Sequence, residues 1–360
     1  SSLEEIEFSS GLVSIGSYAF QGCEALVRIE MPETLETIGS NAFRECTSLK
    51  GIKFPTGLKT IGSYAFYQCT GMTGDLIIPD SVTSLGSYAF YQCTSLDGEL
   101  KLSASLTSIS DSTFYQCRKL TGDLIIPEGV TSISSWAFCQ CAGFNGKLEL
   151  PDTLQRINYN AFDGCKNIVG ELVIPDQVSS LPTKAFQNMS GITSIIFGEG
   201  FTQHGDSTFY GCTNVSEITF MNPEPAKING SLYNPFSSMN KLETVYVPGE
   251  SYSEYSAAYK SYLPATARFR SIGSTGDFQI DDGVLTAYFG EGGEVNIPEG
   301  VSIIGTSAFQ NCTTLTKVIM PDSVISIGEY AFAGCSSLEE IEFSSGLVSI
   351  GSYAFQGCEA

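Results

Sequence analysis

The segment Ser17 to Cys23, Ser-Tyr-Ala-Phe-x-x-Cys, returns along the chain at an almost constant step. Its Phe falls at Phe20, Phe43, Phe66, Phe90, Phe114, Phe138, Phe162, Phe186 and Phe209, at intervals of 23 or 24 residues, and again at Phe309, Phe332 and Phe355. A fixed period of this size is the signature of a solenoid, in which one coil cannot bury its apolar face alone and must stack on its neighbours. Function is then to be sought on a repeated surface, where one coil can differ from the next. Over 360 residues a globular chain would be divided into about two domains. The repeat overrides that division.

Leu76 to Leu96 serves as a type coil. Leu76-Ile77-Ile78 reads as a short strand closed by Pro79, which has no donor for a further ladder. Leu76 and Ile78 face inward, Asp80-Ser81 turns the chain, Val82 and Leu85 supply a second inward pair, and Gly86 permits a bend. Ser87 is placed to cap one helical turn over residues 88 to 93, with Ala89, Phe90 and Cys93 pointing inward. Leu96 closes the coil. The same slots hold Ile29, Met31, Leu35, Ile38, Phe43, Cys46 and Leu49 in an earlier coil. In a later one they hold Leu148, Leu150, Leu154, Ile157, Phe162, Cys165 and Ile168.

This unit resembles the BspA-like leucine-rich repeats, in residues such as Leu49, Ile52, Phe54, Pro55, Leu58, Ile61, Gly62, Ala65, Phe66 and Cys69. The resemblance runs over nearly the whole chain. It implies a right-handed α/β solenoid with a parallel concave β-sheet and short helical turns on the convex side. It also implies a secreted or surface-displayed protein of a family associated with adhesion. The binding residues of such a family differ from member to member, so they must be argued from this chain alone.

The register slips after Thr219: the next Phe of the phrase is Phe236, 27 residues after Phe209. Residues 1–248 therefore form one array, and 249–273, with a Tyr- and Ala-rich helix from Ser251 to Tyr262 and a strand near Arg268 to Ile272, form its C-terminal cap. Residues 274–277 read as a linker, and 278–292, built around Asp281-Asp282-Gly283, as a hairpin that caps a second array over 293–360. Residues 1–25 and 336–360 are identical, offset by 335. Core selection alone does not preserve 25 consecutive residues; either a capped array of about 335 residues is duplicated in a longer parent, or the segment was copied into this chain. A monomer is favoured, and uncapped ends would invite end-to-end stacking.

Charge narrows the partners. With 18 basic against 39 acidic residues the net charge is −21, which repels phosphate backbones and anionic lipid surfaces. Nucleic acid is excluded as a partner class, and no apolar run reaches the length of a membrane span. Eleven of the twelve cysteines occupy one slot, three residues after the Phe, and Met189 and Met239 replace cysteine there. A disulfide or zinc ligand would not tolerate that exchange, so these are read as buried free thiols. Cys139, in Cys139-Gln140-Cys141, falls outside the slot between Tyr115 and Asp163 of adjacent coils, and is expected to be exposed. The single histidine, His204, stands where other coils hold Ile38 or Ile61, and is read as a core imidazole satisfied by Asp206 or backbone. No relay, phosphate loop or calcium loop is spelled out, so neither an enzymatic activity nor a cofactor or metal is expected.

Two exposed ladders remain. The outward strand positions carry Ile77, Lys101, Ile125, Glu149, Val173 and Ile196, a partly apolar stripe that is the candidate binding surface for a protein or glycan. Around the turns stand Tyr18, Tyr64, Tyr67, Tyr88, Tyr91, Tyr115, Trp136 and Tyr210, whose rings are expected to stack from coil to coil. The expectation is a secreted or cell-surface interaction scaffold; the alternative is an architectural spacer or surface antigen with no specific ligand on this segment.

Overall fold

A computed structural model describes residues 3–228, 234–248, 251–272 and 277–359. The expected linker lies outside these residues apart from Asp277. The chain divides into two compact units, Ser1–Ala267 and Arg268–Ala360.

In the first unit each regular coil contributes to three hydrogen-bonded tracks. The first is the strand ending in proline, as in Leu76–Ile77, which pairs in parallel with Leu100–Lys101. The second is a dipeptide strand that the sequence reading treated only as a turn with two inward residues. Ser14–Ile15, Thr37–Ile38, Thr60–Ile61 and Ser84–Leu85 form a four-stranded parallel sheet, continued in kind by Ser108–Ile109, Ser132–Ile133 and Arg156–Ile157. The third track is the recurring phrase itself.

That phrase is not helical, which corrects the expectation of helical turns on the convex side. Tyr64, Tyr88 and Trp136 have φ of 59°, 60° and 56°, and Gln68, Gln92 and Gln140 repeat the left-handed conformation four residues later. Two left-handed residues in each turn cannot belong to a right-handed helix. The N–H groups alternate in direction instead. Ala65, Tyr67 and Cys69 donate three residues back within the coil, whereas Tyr64, Phe66 and Gln68 donate to Ser87, Ala89 and Tyr91 of the next coil at 2.7–2.9 Å. Ser87 therefore accepts an inter-coil bond through its carbonyl and caps no helix. Gly86 is needed for a different reason from the bend assigned to it: a Cβ there would lie 2.3 Å from the backbone nitrogen of Ser63 in the coil below.

The first track is not one continuous sheet. Its strands pair as 28–30 with 5–7, 76–77 with 100–101, and 124–125 with 148–149 before a longer sheet begins at Gly170–Ile174. The 24-residue coils carry one extra residue ahead of this strand. Gly74, Gly122 and Gly170 stand at its site with φ near 80°, and where a 24-residue coil meets a 23-residue one the register shifts between Gly170 and Glu171. Side-chain acceptors extend the paired coils just ahead of their strands: Asp75 Oδ1 accepts from the Glu99 N–H at 2.9 Å, and Asp123 Oδ1 from the Lys147 N–H at 2.7 Å.

The apolar set Leu76, Ile78, Val82, Leu85, Ala89, Phe90, Cys93 and Leu96 is buried, as the type coil anticipates. Met31 and Leu150, expected inward, are half-buried. The Phe rings form a stacked column, with Phe43, Phe66 and Phe90 at centroid separations of 5.3 Å and nearly parallel. At the far end of the unit the helix Tyr252–Tyr259 buries Tyr255 and Tyr259 against Phe220. Their hydroxyls donate to the carbonyls of Asn222 and Ala226.

The second unit contains the strand Arg268–Ser271 and an antiparallel hairpin, Phe278–Asp281 with Val284–Tyr288, turned by Asp282 and Gly283 in the left-handed region. Val284 and Leu285 then pair in parallel with Ile303 and Ile304, so the hairpin starts the ladder of the coils that follow. The core of this unit repeats the same slots with Phe309, Phe332, Cys335 and Ala331.

Candidate functional site

The stripe residues are set by strand alternation: in Leu76–Ile77 the leucine is buried and its neighbour must face outward. Ile77 pairs in register with Lys101, Ile125 with Glu149, and Val173 with Ile196. These are three pairs in three separate sheets. Ile77, Ile125 and Val173 are 53%, 52% and 44% exposed, and Lys101 and Glu149 are exposed beside them. Ile196 is half-buried, and its strand neighbours Thr219 and Tyr246 are too. The apolar exposure therefore concentrates on Ile77, Ile125 and Val173, each next to a polar or half-covered partner. Next to Ile77 lies an open groove of about 480 Å³, walled by Phe54 and Pro79 and edged by Lys53, Asp75, Asp80 and Lys101. It offers an apolar floor with charges of both signs at its rim.

The second track presents Ser14, Thr37, Thr60, Ser84, Ser108 and Ser132 outward, a hydroxyl ladder that the sequence reading did not single out. Its signal was available: a Ser or Thr precedes the inward Ile or Leu in six successive coils.

Five of the eight aromatic positions stack as expected, whereas Tyr18, Trp136 and Tyr210 are exposed and stack on no ring among the described residues. Tyr64 lies 4.7 Å from Tyr88, Tyr67 is 4.8 Å from Tyr91, and Tyr91 is 4.7 Å from Tyr115, all within 7° of parallel. Desolvation, then the neighbouring Tyr88 and Tyr67, raise the Tyr64 phenol above its usual range. Beside them Gln68, Gln92 and Gln116 form an amide ladder, each Nε2 donating to the next Oε1 at 2.7 and 2.9 Å. These groups spend their bonding on one another.

All twelve cysteines are free thiols. In the repeated slot the thiol does more than fill space: Cys69, Cys93, Cys117 and Cys141 each donate from Sγ to the carbonyl of the Phe one coil back, at 2.9–3.1 Å. Burial holds Cys69 and Cys93 well above the ordinary thiol range. Cys139 is buried, contrary to expectation, because its short side chain sits between the longer Tyr115 and Asp163. Burial and the Asp163 carboxylate push its thiol up to about 12, so it carries little thiolate for redox or metal chemistry. Among the described residues no group of three or more His, Cys, Asp or Glu side chains is arranged to hold a metal ion.

His204 is fully buried, ringed edge-on by Phe197, Phe201, Phe220 and Phe236. Its partner is Tyr259 of the helix, not Asp206. The Tyr259 hydroxyl donates to the Ala226 carbonyl at 2.6 Å, so at 3.2 Å Nε2–H is the donor to Tyr259 Oη. Nδ1 is left without a partner. Burial lowers its pKa to about 3, which keeps the ring neutral. It pins the terminal helix to the last coils and offers no relay.

Parallel strands stacked coil upon coil, with leucine and isoleucine at fixed inward slots, define the chain as a leucine-rich solenoid. The sequence matches the BspA type leucine rich repeat region over residues 1–121, 73–146, 142–263 and 291–360, and the chain belongs to that family. Among solved structures it is similar to a leucine-rich repeat protein from Bacteroides ovatus, at 27% identity over 96% of this chain and 80% of that one, with a TM-score of 0.47. A leucine rich cell surface protein from Faecalibacterium prausnitzii is 24% identical over 93% and 83% of the two chains, with a TM-score of 0.44. The pneumococcal vaccine antigen PcpA is 21% identical over 73% and 72%, also at 0.44. A search of curated proteins finds no match.

Proposed function

We propose that this chain is a secreted or cell-surface interaction scaffold that binds a protein or glycan through the stripe Ile77, Lys101, Ile125, Glu149, Val173 and Ile196, without enzymatic activity. Its proposed organisation is an array over 1–248 closed by the segment 249–273, followed by a second array over 293–360. The observation that carries the binding reading is the exposure of Ile77, Ile125 and Val173 at about half their surface on a rigid strand track, with Lys101 and Glu149 between them. Exposed aliphatic groups rimmed by charge suit recognition of an amphipathic surface. Family membership supports a scaffold role, because the part that recurs from coil to coil is the core and the outward positions are the ones free to specify a ligand.

The test replaces Ile77, Ile125 and Val173 by Asp and measures binding to panels of matrix proteins and glycans, with circular dichroism as the fold control. Loss of binding in a folded variant supports the stripe. Unchanged binding removes it and leaves the architectural spacer as the better reading.

A further inference from the structure

Between residues 51–54 and 75–78 the first track is crossed by no backbone hydrogen bond. The neighbouring gaps each keep one: the N–H groups of Lys50, Thr121 and Val169 donate to the carbonyls of Val27, Gly98 and Gly146 at 2.9–3.0 Å. The opening falls where 23-residue coils give way to 24-residue ones, and the coils rejoin at the second track, where the Thr83 N–H donates to Lys59 at 3.0 Å. Leu76 and Ile78 send their N–H groups away from the opening, to Glu99 and Lys101 at 2.8 Å. Backbone direction alternates along a strand, so Ile77 turns its N–H and C=O toward the opening, where neither has a partner among the described residues. This opening is the groove of about 480 Å³ beside Ile77. Its floor is fixed: Phe54 is 6% exposed and packs edge-on against Phe66 and Phe90, at 5.7 and 6.3 Å. The charges on its rim are not equivalent. Asp75 Oδ1 accepts from the Glu99 N–H and Asp80 Oδ1 from the Ala104 N–H. The ammonium groups of Lys53 and Lys101 have no ion-pair or hydrogen-bond partner among the described residues. In a chain with 18 basic against 39 acidic residues, two unpaired lysines flanking one exposed isoleucine favour an anionic occupant.

We propose that this groove binds a short acidic segment of a partner protein in extended form, which pairs its backbone with the N–H and C=O of Ile77 and holds a carboxylate between Lys53 and Lys101. The segment adds a strand to an open edge, a mode in which main-chain bonds supply affinity and alternate side chains supply selectivity. Successive side chains of an extended segment face opposite ways, so one set points down onto Phe54 and the other points outward beside the lysines. The ligand is therefore one that alternates aliphatic and acidic residues. Neither end of the contact costs the free protein anything, because the Ile77 groups and both ammonium groups stand in water until the segment arrives. The inference rests on the stripe reading and names the class of ligand at its Ile77 end.

A fluorescein-labelled Val-Glu-Val-Glu-Val-Glu-Val peptide is titrated with the chain by fluorescence anisotropy. Beside it are tested a copy with Lys in place of Glu, a copy N-methylated at every peptide bond, and an oligogalacturonate as an anionic glycan. The acidic peptide is expected to bind, less tightly as salt rises, and none of the other three to compete with it. Lys53→Glu combined with Lys101→Glu, both at exposed positions, is expected to stay folded by circular dichroism and to weaken binding at least about tenfold. No binding of the acidic peptide, equal binding of the basic or N-methylated copy, competition by the oligogalacturonate, or indifference to the lysine exchanges would each overturn the proposal. The stripe reading fails separately: a panel ligand that is lost on replacing Ile77, Ile125 and Val173 while the acidic peptide never binds keeps the stripe and removes the groove.

Discussion

His204 makes the fold sensitive to acid in a way that can be isolated by one substitution. Its folded pKa is lowered to about 3 by burial among Phe197, Phe201, Phe220 and Phe236. The unfolded imidazole titrates near 6.5. Because the folded value is depressed, the unfolded chain takes up a proton first as the pH falls, and stability drops from about pH 6.5 down to about pH 3. At pH 4.5 the unfolded ring is protonated and the folded ring is not. Two pH units below 6.5 then correspond to about 3 kcal/mol of lost stability relative to neutral pH.

His204→Ile removes this term and restores the residue found at the same slot in other coils. It leaves the Tyr259 hydroxyl its bond to the Ala226 carbonyl, so no new buried orphan is created. The acidic side chains titrate in both proteins and cancel in the comparison. Urea unfolding of the two proteins at pH 7.5 and 4.5, followed by circular dichroism, should show the variant gaining on the parent by about 3 kcal/mol at the lower pH. An identical difference at both pH values would refute the argument that this imidazole is held neutral.

Other consequences are as direct. Phe90→Ala removes a ring stacked between Phe66 and Phe114 at 5.3 and 5.7 Å, and should cost about 3 to 5 kcal/mol in denaturant unfolding; a parent-like midpoint would refute its place in the column. In the native protein a thiol reagent should modify Cys23, Cys312 and Cys358 first, those being the partly covered cysteines, and reach buried thiols such as Cys93 and Cys117 only on unfolding, as read by peptide mass mapping. Cys93→Ser keeps a donor to the Phe66 carbonyl but replaces an apolar, polarisable atom by a smaller polar one in a fully buried slot, so the melt should fall by about 1 to 3 kcal/mol.

The core was legible because each inward slot recurs: Phe90 or Cys93 could be assigned from its dozen equivalents without knowing the backbone path. The outward stripe followed from strand alternation, which places Ile77 opposite to Leu76 wherever the strand lies. The turn conformation was not legible. Ser-Tyr-Ala-Phe has no glycine or proline to advertise a left-handed residue, and its small-polar start and apolar spacing suit one turn of helix equally well. The identity of residues 1–25 and 336–360 could be read directly.

The sequence by itself determined the period, the inward set and the absence of a core alternative to stacking, since local apolar spacing repeated in phase admits one kind of burial. Only the tertiary structure decided where the hydrogen bonds go. Tyr64, Phe66 and Gln68 send their N–H groups to the next coil, Cys69 gives its thiol to Phe43, and His204 finds Tyr259 fifty-five residues away. Those partners lie a coil or more distant in sequence, and a hydrogen bond is fixed by where stacking brings its donor and acceptor, not by the residues next to either one.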